Sequence, residues 1–349
     1  MKTTEQPLSK NISTRQEVQK KTYKELITCK TWIDGVKQHN KKTHNRSDII
    51  KVATEFYRNI YSANDHRSIK DSSHYTTNIH RNSKETTQIE VSEVVSALKN
   101  LKTDKSPGVD QITNESLKIA LPILANPLTD LFNNIIETGT TPTQWGESNI
   151  ILLYKRGDPH DIANYRPISL LSCIYKLFST IINQRISSTL ELKQPVEQAG
   201  FRKRFSTIDH IHSLELIIEK YQEMRRPLYI VFIDYQKAFD TISHDSIWTA
   251  LRTQNVEEKY LKIIQSIYNN SKSRVQLETT GPWFPIKRGV RQGDPLSPKL
   301  FIATLELVIK QLDWRTKGIY INGSYLSHLR FADDLVLLSE SNTQLQAMV

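Results

Sequence analysis

Two adjacent aspartates, Asp333 and Asp334, interrupt an apolar segment at 329–338 (LRFADDLVLL). The residues on either side suit β-strands, so the pattern predicts a hairpin with both acids at or beside its turn. Neighbouring carboxylates resist joint ionisation unless a cation lies between them, which makes a divalent metal site one interpretation. The other is a solvated turn, and the pair taken alone favours it because aspartate is common in turns.

A third acid, Asp234, directly follows the apolar run 228–233 (LYIVFI). The run predicts a central strand buried on both faces, and Asp234 could also be a simple strand-end cap. If this strand and the hairpin share one sheet, the three acids can meet at its rim. Carboxylates without histidine or cysteine suit hard cations such as Mg²⁺ better than zinc. Two such ions can activate a hydroxyl and stabilise the leaving oxygen of a displacement at phosphorus.

Further residues have side chains that suit a nucleoside triphosphate. Lys155 and Arg166 flank a loop and could reach phosphate oxygens, or they belong to an ordinary solvated basic loop. Phe239 follows Asp234 at a spacing that could place its ring beside the metal site, although core packing is the usual role of phenylalanine. At 291–293 the backbone could approach a base or template because Gly293 has no side chain, or the segment is a plain turn.

Composition indicates a soluble globular protein whose partner is a polyanion. The 349 residues suffice for two or three packed units, and the formal net charge of +10 favours nucleic acid first and an anionic membrane second. No apolar stretch is long enough to span a bilayer, and the first residues lack the core of a secretory signal. The only cysteines, Cys29 and Cys173, support neither a disulfide framework nor a cysteine-based zinc site. We expect an intracellular, reduced protein, in the nucleus or the cytoplasm, without membrane association.

Apolar periodicity predicts a mixture of helices and strands. The expected helices cover 23–36, 49–61, 91–101, 115–137 (divided near Pro122 and Pro127), 173–192, 208–224, two that begin near 245 and 257, and 299–312. The expected strands cover 149–154, 228–233, an edge strand at 273–278, a small hairpin at 320–326, and the hairpin that carries the paired acids. The polar segment 64–87 predicts a linker.

Several segments occur together in a set order and carry a family resemblance. FADD at 331–334, FIDYQKAFD at 232–240 and GVRQGDPLSP at 289–298 resemble three palm motifs of reverse transcriptases from non-LTR (LINE-type) retrotransposons. NYRPISLL at 164–171 and QAGFR at 198–202 resemble fingers motifs of that class, and KSPGVD at 105–110 resembles its N-terminal extension. The resemblance runs from about residue 91 to the last residue.

The resemblance implies an α+β fold, a right-hand polymerase with fingers and an antiparallel palm sheet packed by helices. Within the matched part it implies a mainly helical N-terminal extension to the fingers at 91–148, and fingers and palm, incomplete at the C-terminus, at 149–349. For residues 1–90, composition predicts a basic, partly helical region with a linker. Since the chain stops at Val349, shortly after the hairpin, we expect it to lack the next palm motif and the thumb. We also expect no endonuclease domain ahead of the fingers and no Cys/His knuckle after the palm, as in a truncated reading frame.

The resemblance also implies roles for individual residues. Asp234, Asp333 and Asp334 would be the metal-binding catalytic triad. Phe239 would be the gate that disfavours a ribose 2′-hydroxyl. Gln292 would lie against the incoming nucleotide or template, with Gly293 also at the nucleotide site. Lys155 and Arg166 would hold the triphosphate.

The implied function is RNA-directed DNA polymerase, a nucleotidyltransferase that adds dNTPs to a primer 3′-hydroxyl with two Mg²⁺ ions, or Mn²⁺ in their place. Its partners would be an RNA template and a DNA primer, with no stable protein partner. The alternative is an inactive nucleic-acid-binding remnant that keeps the basic fingers. A maturase-like or retron-like enzyme is a third option, but the sequences of the segments at 164–171 and 291–298 favour the LINE type.

Overall fold

The computed structural model describes residues 33–38, 41–62 and 87–349, which form a mixed α and β structure. Most of the helix expected at 23–36 lies outside these ranges; within them, 33–35 are loop and Val36 begins a strand, so the helical prediction is wrong there. The linker expected at 64–87 lies outside the described residues except for its last position. In the described ranges, no helix combines the length and apolar character needed to cross a membrane.

The strands of the described residues are numbered here in chain order. They are β1 (Val36–Gln38), β2 (Lys41–Thr43), β3 (Glu147–Tyr154), β4 (Tyr165–Leu170), β5 (Tyr229–Ile233), β6 (Lys272–Val275), β7 (Phe284–Pro285), β8 (Ile319–Ile321), β9 (Ser324–Leu326), β10 (His328–Phe331) and β11 (Asp334–Ser339).

The helices are numbered in the same way. They are α1 (Arg46–Tyr61), α2 (Val91–Lys99), α3 (Asn114–Ile119), α4 (Leu121–Thr138), α5 (Cys173–Glu191), α6 (Thr207–Glu223), α7 (Ala238–Thr241), α8 (His244–Thr253), α9 (Glu258–Asn269), α10 (Ser297–Gln311) and α11 (Asn342–Met348). The predicted helices from 49 onward are confirmed, with one difference at the proline pair. The break falls before Pro122 alone, whereas Pro127 lies inside α4 on its exposed side, where water can bond the carbonyl left without a donor.

The larger sheet has four strands in the order β4-β3-β6-β7, with β3 antiparallel to β4 and parallel to β6. Strand β6 has a neighbour on each side, so the edge strand predicted at 273–278 is wrong, and the strand is also shorter. Alternation shows that one face of a strand is covered, not how many neighbours the strand has. On the covered face the hydroxyls of Ser148 and Ser273 hydrogen-bond at 2.6 Å.

The smaller sheet has three antiparallel strands in the order β10-β11-β5. Strand β5 is at its edge in the described part of the chain, and Phe232 is 71% exposed, so the prediction of a strand buried on both faces is wrong. One face of β5 packs Val231 and Ile233 against the core beneath the sheet. An unbroken apolar run therefore indicated the strand without revealing that one face is partly open.

Helices supply most of the largest hydrophobic core. Its buried side chains come from α2, α4, α5, α8, α9 and α10 and include Phe132, Phe178 and Leu261. The loops that carry the candidate site residues are anchored on this core, because Ala238 and Val290 are among its members.

Candidate active site

The turn between β10 and β11 consists of Ala332 and Asp333. Ala332 is buried and has φ +58°, in the left-handed region that residues with a Cβ rarely adopt. Asp334 is the first residue of β11 and pairs with Phe331. The predicted hairpin, with both acids at or beside its turn, is confirmed.

The register of the smaller sheet brings Asp234 to the same end. The last β11–β5 pair joins Leu335 and Ile233. Asp334 directly precedes Leu335 at the start of β11, and Asp234 directly follows Ile233 at the end of β5. The two acids therefore lie at the same end of the sheet, each one residue beyond the last β5–β11 pair, beside the turn that carries Asp333.

The three carboxyl groups differ in their surroundings. Burial raises the pKa of the half-buried Asp333 carboxyl; its own backbone N–H lowers that pKa, the charges of Asp334 and Asp234 raise it, and the charge of Lys155 lowers it. Asp234 and Asp334 are exposed, and within the described ranges neither carboxylate takes part in a hydrogen bond or ion pair. The acids thus repel one another, and two of them keep their oxygens open to solvent.

These acids do not form a ready-made metal cage. Among the described residues, no group of three or more His, Cys, Asp or Glu side chains is arranged to hold a metal ion. Mg²⁺ commonly binds one or two carboxylates and completes its shell with waters and substrate phosphates. A rim of open carboxylates fits Mg²⁺ that is shared with a phosphate-bearing substrate, and its lack of nitrogen or sulfur donors does not fit zinc.

Phe239 lies between two other aromatic rings. It stacks on Phe301 with ring centroids 4.3 Å apart, and it meets Phe201 edge-to-face at 6.1 Å. One face of Phe239 therefore packs on the core, as the alternative of a packing role predicts. The ring stays partly exposed on the chain segment that follows Asp234.

Gln292 and Gly293 contact other parts of the protein. The side-chain Nε2 of Gln292 donates to Asp240 Oδ1 at 2.9 Å, and its carbonyl accepts from the Ser169 N–H at 2.8 Å. Gly293 has φ +111°, and a Cβ there would lie 3.0 Å from the carbonyl oxygen of Ser169. The close approach that glycine permits is thus to β4, so the loop is tied to the larger sheet.

Asp240 and Tyr61 form a buried contact that sequence reasoning missed. Asp240 is 1% exposed and accepts from the Tyr61 hydroxyl at 2.9 Å in addition to Gln292. Burial raises the pKa of Asp240, and the bonds from Gln292 and Tyr61 lower it. Asp240 ends the segment quoted at 232–240, but nothing local connects it to a tyrosine 179 positions earlier.

The two predicted phosphate-binding cations lie on the β3–β4 hairpin. Lys155 follows β3, and Arg166 lies in β4 opposite Leu153. Both side chains are exposed, and neither belongs to an ion pair in the part of the chain that the structure describes. The charge of Lys155 reaches Asp333, as its effect on that pKa shows. Of the two cations, Lys155 thus acts on the charge of Asp333, and Arg166 lies exposed on the neighbouring strand.

Comparison with known proteins gives matches over most of the described chain. Residues 154–349, more than half of the chain, match the family described as Reverse transcriptase (RNA-dependent DNA polymerase). A Retrovirus-related Pol polyprotein from type-1 retrotransposable element R2 of Nasonia vitripennis is 35% identical over 218 residues, covering 62% of this chain and 21% of that protein. A probable RNA-directed DNA polymerase from transposon BS of Drosophila melanogaster is 31% identical over 266 residues, covering 73% and 28%.

The chain therefore spans between a fifth and a third of the length of these relatives. Among solved structures, apo telomerase from Candida tropicalis truncated from its C-terminal domain covers 64% of this chain and 50% of its own, at 15% identity and a TM-score of 0.44. That similarity is too distant to bear on the site.

Proposed function

Because the chain belongs to the reverse transcriptase family, we propose that it carries fingers and palm elements of an RNA-directed DNA polymerase. The family assignment agrees with the resemblance seen in the motifs. In this proposal the sheet β4-β3-β6-β7 belongs to the fingers and the sheet β10-β11-β5 to the palm. The reaction joins a primer 3′-oxygen to the α-phosphorus of a dNTP and releases pyrophosphate.

The meeting of Asp234, Asp333 and Asp334 at one rim of a sheet is the observation that carries the proposal. Asp234 and Asp334 each lie one residue beyond the last β5–β11 pair and keep open carboxylates, and Asp333 lies on the turn beside them. These three acids would hold two Mg²⁺ ions, or Mn²⁺, together with the nucleotide phosphates. Bound there, the ions would activate the 3′-hydroxyl and stabilise the leaving oxygen.

Other residues would position the nucleotide rather than react. Lys155, whose charge already reaches Asp333, and the exposed Arg166 would bind the triphosphate. Phe239 would lie under the sugar and exclude a 2′-hydroxyl. The amide of Gln292, oriented by Asp240, would lie against the nucleotide or template. Catalysis would then consist mostly of orientation and charge neutralisation.

The net charge of +10 suits a template–primer duplex of RNA and DNA. Affinity would come largely from Lys and Arg on phosphates and would fall steeply as salt rises.

Asp333→Asn tests the proposal. The substitution removes a negative charge with little change of shape, and primer extension on an RNA template should fall by about 10³-fold or more, since metal-assisted charge stabilisation is worth several kcal/mol. Template–primer affinity should change by less than about two-fold, because the exposed cations that bind phosphate are untouched. Asp313→Asn, an exposed acid outside the sheet, is the matched control and should extend normally.

Equal extension by Asp333→Asn and the unmodified protein would exclude the triad. Tight template binding with no extension by either protein would instead favour the nucleic-acid-binding remnant.

A further inference from the structure

Residues 197–200, called here the clamp segment, run along the edge of β10 that faces away from β11. The Arg330 N–H donates to the carbonyl of Glu197 at 2.8 Å, and the Ala199 N–H donates to the carbonyl of Arg330 at 2.9 Å. Gln198 and Arg330 thus form a parallel bridge. The clamp segment adds a short stretch of backbone pairing to the edge of the smaller sheet, and it ends beside the turn that carries Asp333.

The side chain of Gln198 bonds to this turn on both sides of Ala332. It is fully buried, and its Oε1 accepts from the backbone N–H of Ala332 at 3.0 Å and of Gly200 at 2.8 Å. Its Nε2 donates to the carbonyl oxygen of Ala332 at 3.4 Å. Ala332 adopts a left-handed conformation that its Cβ disfavours, and the hydrogen bonds of Gln198 with its N–H and carbonyl offset part of that cost.

Gly200 and Arg202 keep the clamp segment in place. A Cβ at Gly200 would lie 2.2 Å from the backbone nitrogen of Ala332, so no side chain fits between the two segments. Arg202 donates to the carbonyls of Pro195 at 2.6 Å and Gln198 at 2.9 Å, and its Nε donates to Glu191 at 2.6 Å. The guanidinium of Arg202 therefore stabilises the clamp segment, and its hydrogen bonds go to acceptors within the protein.

The next residue, Phe201, connects the clamp segment to Phe239. Phe201 has φ +55° and meets the Phe239 ring edge-to-face. One stretch of five residues thus contacts both the turn that bears Asp333 and the ring proposed to select the sugar.

We infer that Gln198 is a positioning residue whose amide holds Ala332 in its left-handed conformation and thereby aims the Asp333 carboxylate. The inference rests on the proposed function for its catalytic consequence, but the hold on the turn is a property of the folded chain alone. Gln198 touches no reacting atom; it acts through the backbone of the turn.

Hydrogen exchange at the Ala332 amide tests the hold on the turn directly, without any substrate. In Gln198→Met, which has similar length but no amide, this amide loses its acceptor and should exchange at least ten-fold faster. Gln198→Asn keeps the polarity but is too short to reach Ala332, so it should behave in the same way and guards against misfolding of the methionine variant. The Leu337 amide, in the middle strand, should be unchanged in both. Unaltered exchange at Ala332 in the two variants would overturn the inference.

Gln254→Met is the matched control. Gln254 is also a buried glutamine, 3% exposed, whose Nε2 donates to a backbone carbonyl, that of Ala303, at 2.8 Å. It lies in the helical core and should lower the unfolding temperature without altering exchange at Ala332 or the kcat of primer extension beyond two-fold.

Primer extension tests the catalytic consequence. Gln198→Met and Gln198→Asn should lower kcat at least ten-fold while template–primer Kd changes by less than two-fold. An equal loss of kcat in Gln254→Met would mean that Gln198 matters only for stability, which overturns the inference. If the unmodified protein extends no primer, the proposed function fails, whereas the exchange result still decides whether Gln198 holds the turn.

Discussion

Asp234 and Asp294 are the same side chain in opposite surroundings. Asp294, in the loop ahead of α10, is 3% exposed and accepts hydrogen bonds from Ser179 at 2.6 Å, the Leu296 N–H at 3.0 Å and Arg291 at 3.1 Å, as well as from the Tyr175 hydroxyl. Asp234, at the rim of the smaller sheet, is exposed and has no protein partner in the described ranges.

The difference separates structural acids from acids that are available to a ligand. A buried carboxylate is tolerated only when donors satisfy it, and those donors leave no lone pair for a cation. The carboxylate of Asp294 is fully hydrogen-bonded in this way, and that of Asp240 accepts two hydrogen bonds, from Tyr61 and Gln292. Asp234 and Asp334 have paid no such desolvation cost and still present free oxygens. Whether a carboxylate is hydrogen-bonded by the protein, rather than the residue type, distinguishes a structural acid from one that is available to a ligand.

The largest effects are expected when each of the two aspartates, Asp234 and Asp294, is replaced by asparagine. Asp234→Asn should reduce primer extension by about 10³-fold or more, since it removes a ligand of the proposed metal site, and leave the free energy of unfolding nearly unchanged. Asp294→Asn should lower the free energy of unfolding by about 3–5 kcal/mol, because it leaves the buried Arg291 without its counter-charge. Urea titration and primer extension on both variants measure the four quantities. A large loss of stability in Asp234→Asn would break the comparison.

Phe239→Ala tests a residue that lies in the same segment as Asp234 and stacks on Phe301 of α10, the helix that follows Asp294. If the ring blocks a 2′-hydroxyl, the ratio of rNTP to dNTP incorporation should rise at least ten-fold, about 1.4 kcal/mol in discrimination. Stability should also fall, because the ring stacks on Phe301. Single-nucleotide incorporation with matched dNTP and rNTP gives the ratio, which is independent of the amount of folded protein. An unchanged ratio would leave Phe239 with a packing role only.

The underside of the same sheet predicts a pH effect. His328 is 8% exposed and packs against Trp314 with ring centroids 5.2 Å apart. It lies two residues before Arg330, which pairs with Glu306 of α10 at 2.8 Å. Burial, with a contribution from Arg330, lowers the pKa of His328 to about 3. Since the folded state favours neutral histidine, its stabilising contribution is complete above the unfolded pKa of about 6.5 and is lost as pH falls toward 3. We expect this contribution to decline by up to about 1.4 kcal/mol per pH unit below 6.5.

Urea unfolding at pH 7.5 and 5.5 measures the effect. His328→Leu should show a smaller difference between the two pH values than the unmodified protein. The same difference in both proteins would assign the pH dependence to other groups.

The smallest expected effect is that of Tyr61→Phe. Loss of the hydroxyl removes one donor from Asp240, raises the pKa of that acid further, and should cost about 1 kcal/mol of stability. If Gln292 contacts the nucleotide, KM for dNTP should rise a few-fold because its acceptor is less well held. Tyr57→Phe is the control, since Tyr57 is buried in the same helix but donates to the carbonyl of Tyr165 at 3.1 Å. Equal KM values in the two variants would separate Asp240 from nucleotide binding.

Local patterns were sufficient for the hairpin, the acid that follows β5, most helices and the order of the motifs. Each depends on residues within about a dozen positions: apolar periodicity, strand formers around two acids, and prolines at a helix start. The family match then agreed with the resemblance that the ordered motifs carried. These features could be predicted because their causes are contained in the segment itself.

Only the tertiary structure decided which acids are open and which are satisfied. Asp234, Asp240 and Asp294 all occur in motif segments, yet Asp240 receives a hydrogen bond from 179 positions away and Asp294 from 119 and 115. The edge position of β5 and the hold of Gln198 on Ala332, 134 positions later, are of the same kind. Hydrogen-bond partners so distant in sequence leave no periodic trace, since packing alone brings them together. The sequence thus determined where the carboxylates of this reverse transcriptase family member stand along the chain, and the fold determined which of them remain free to bind.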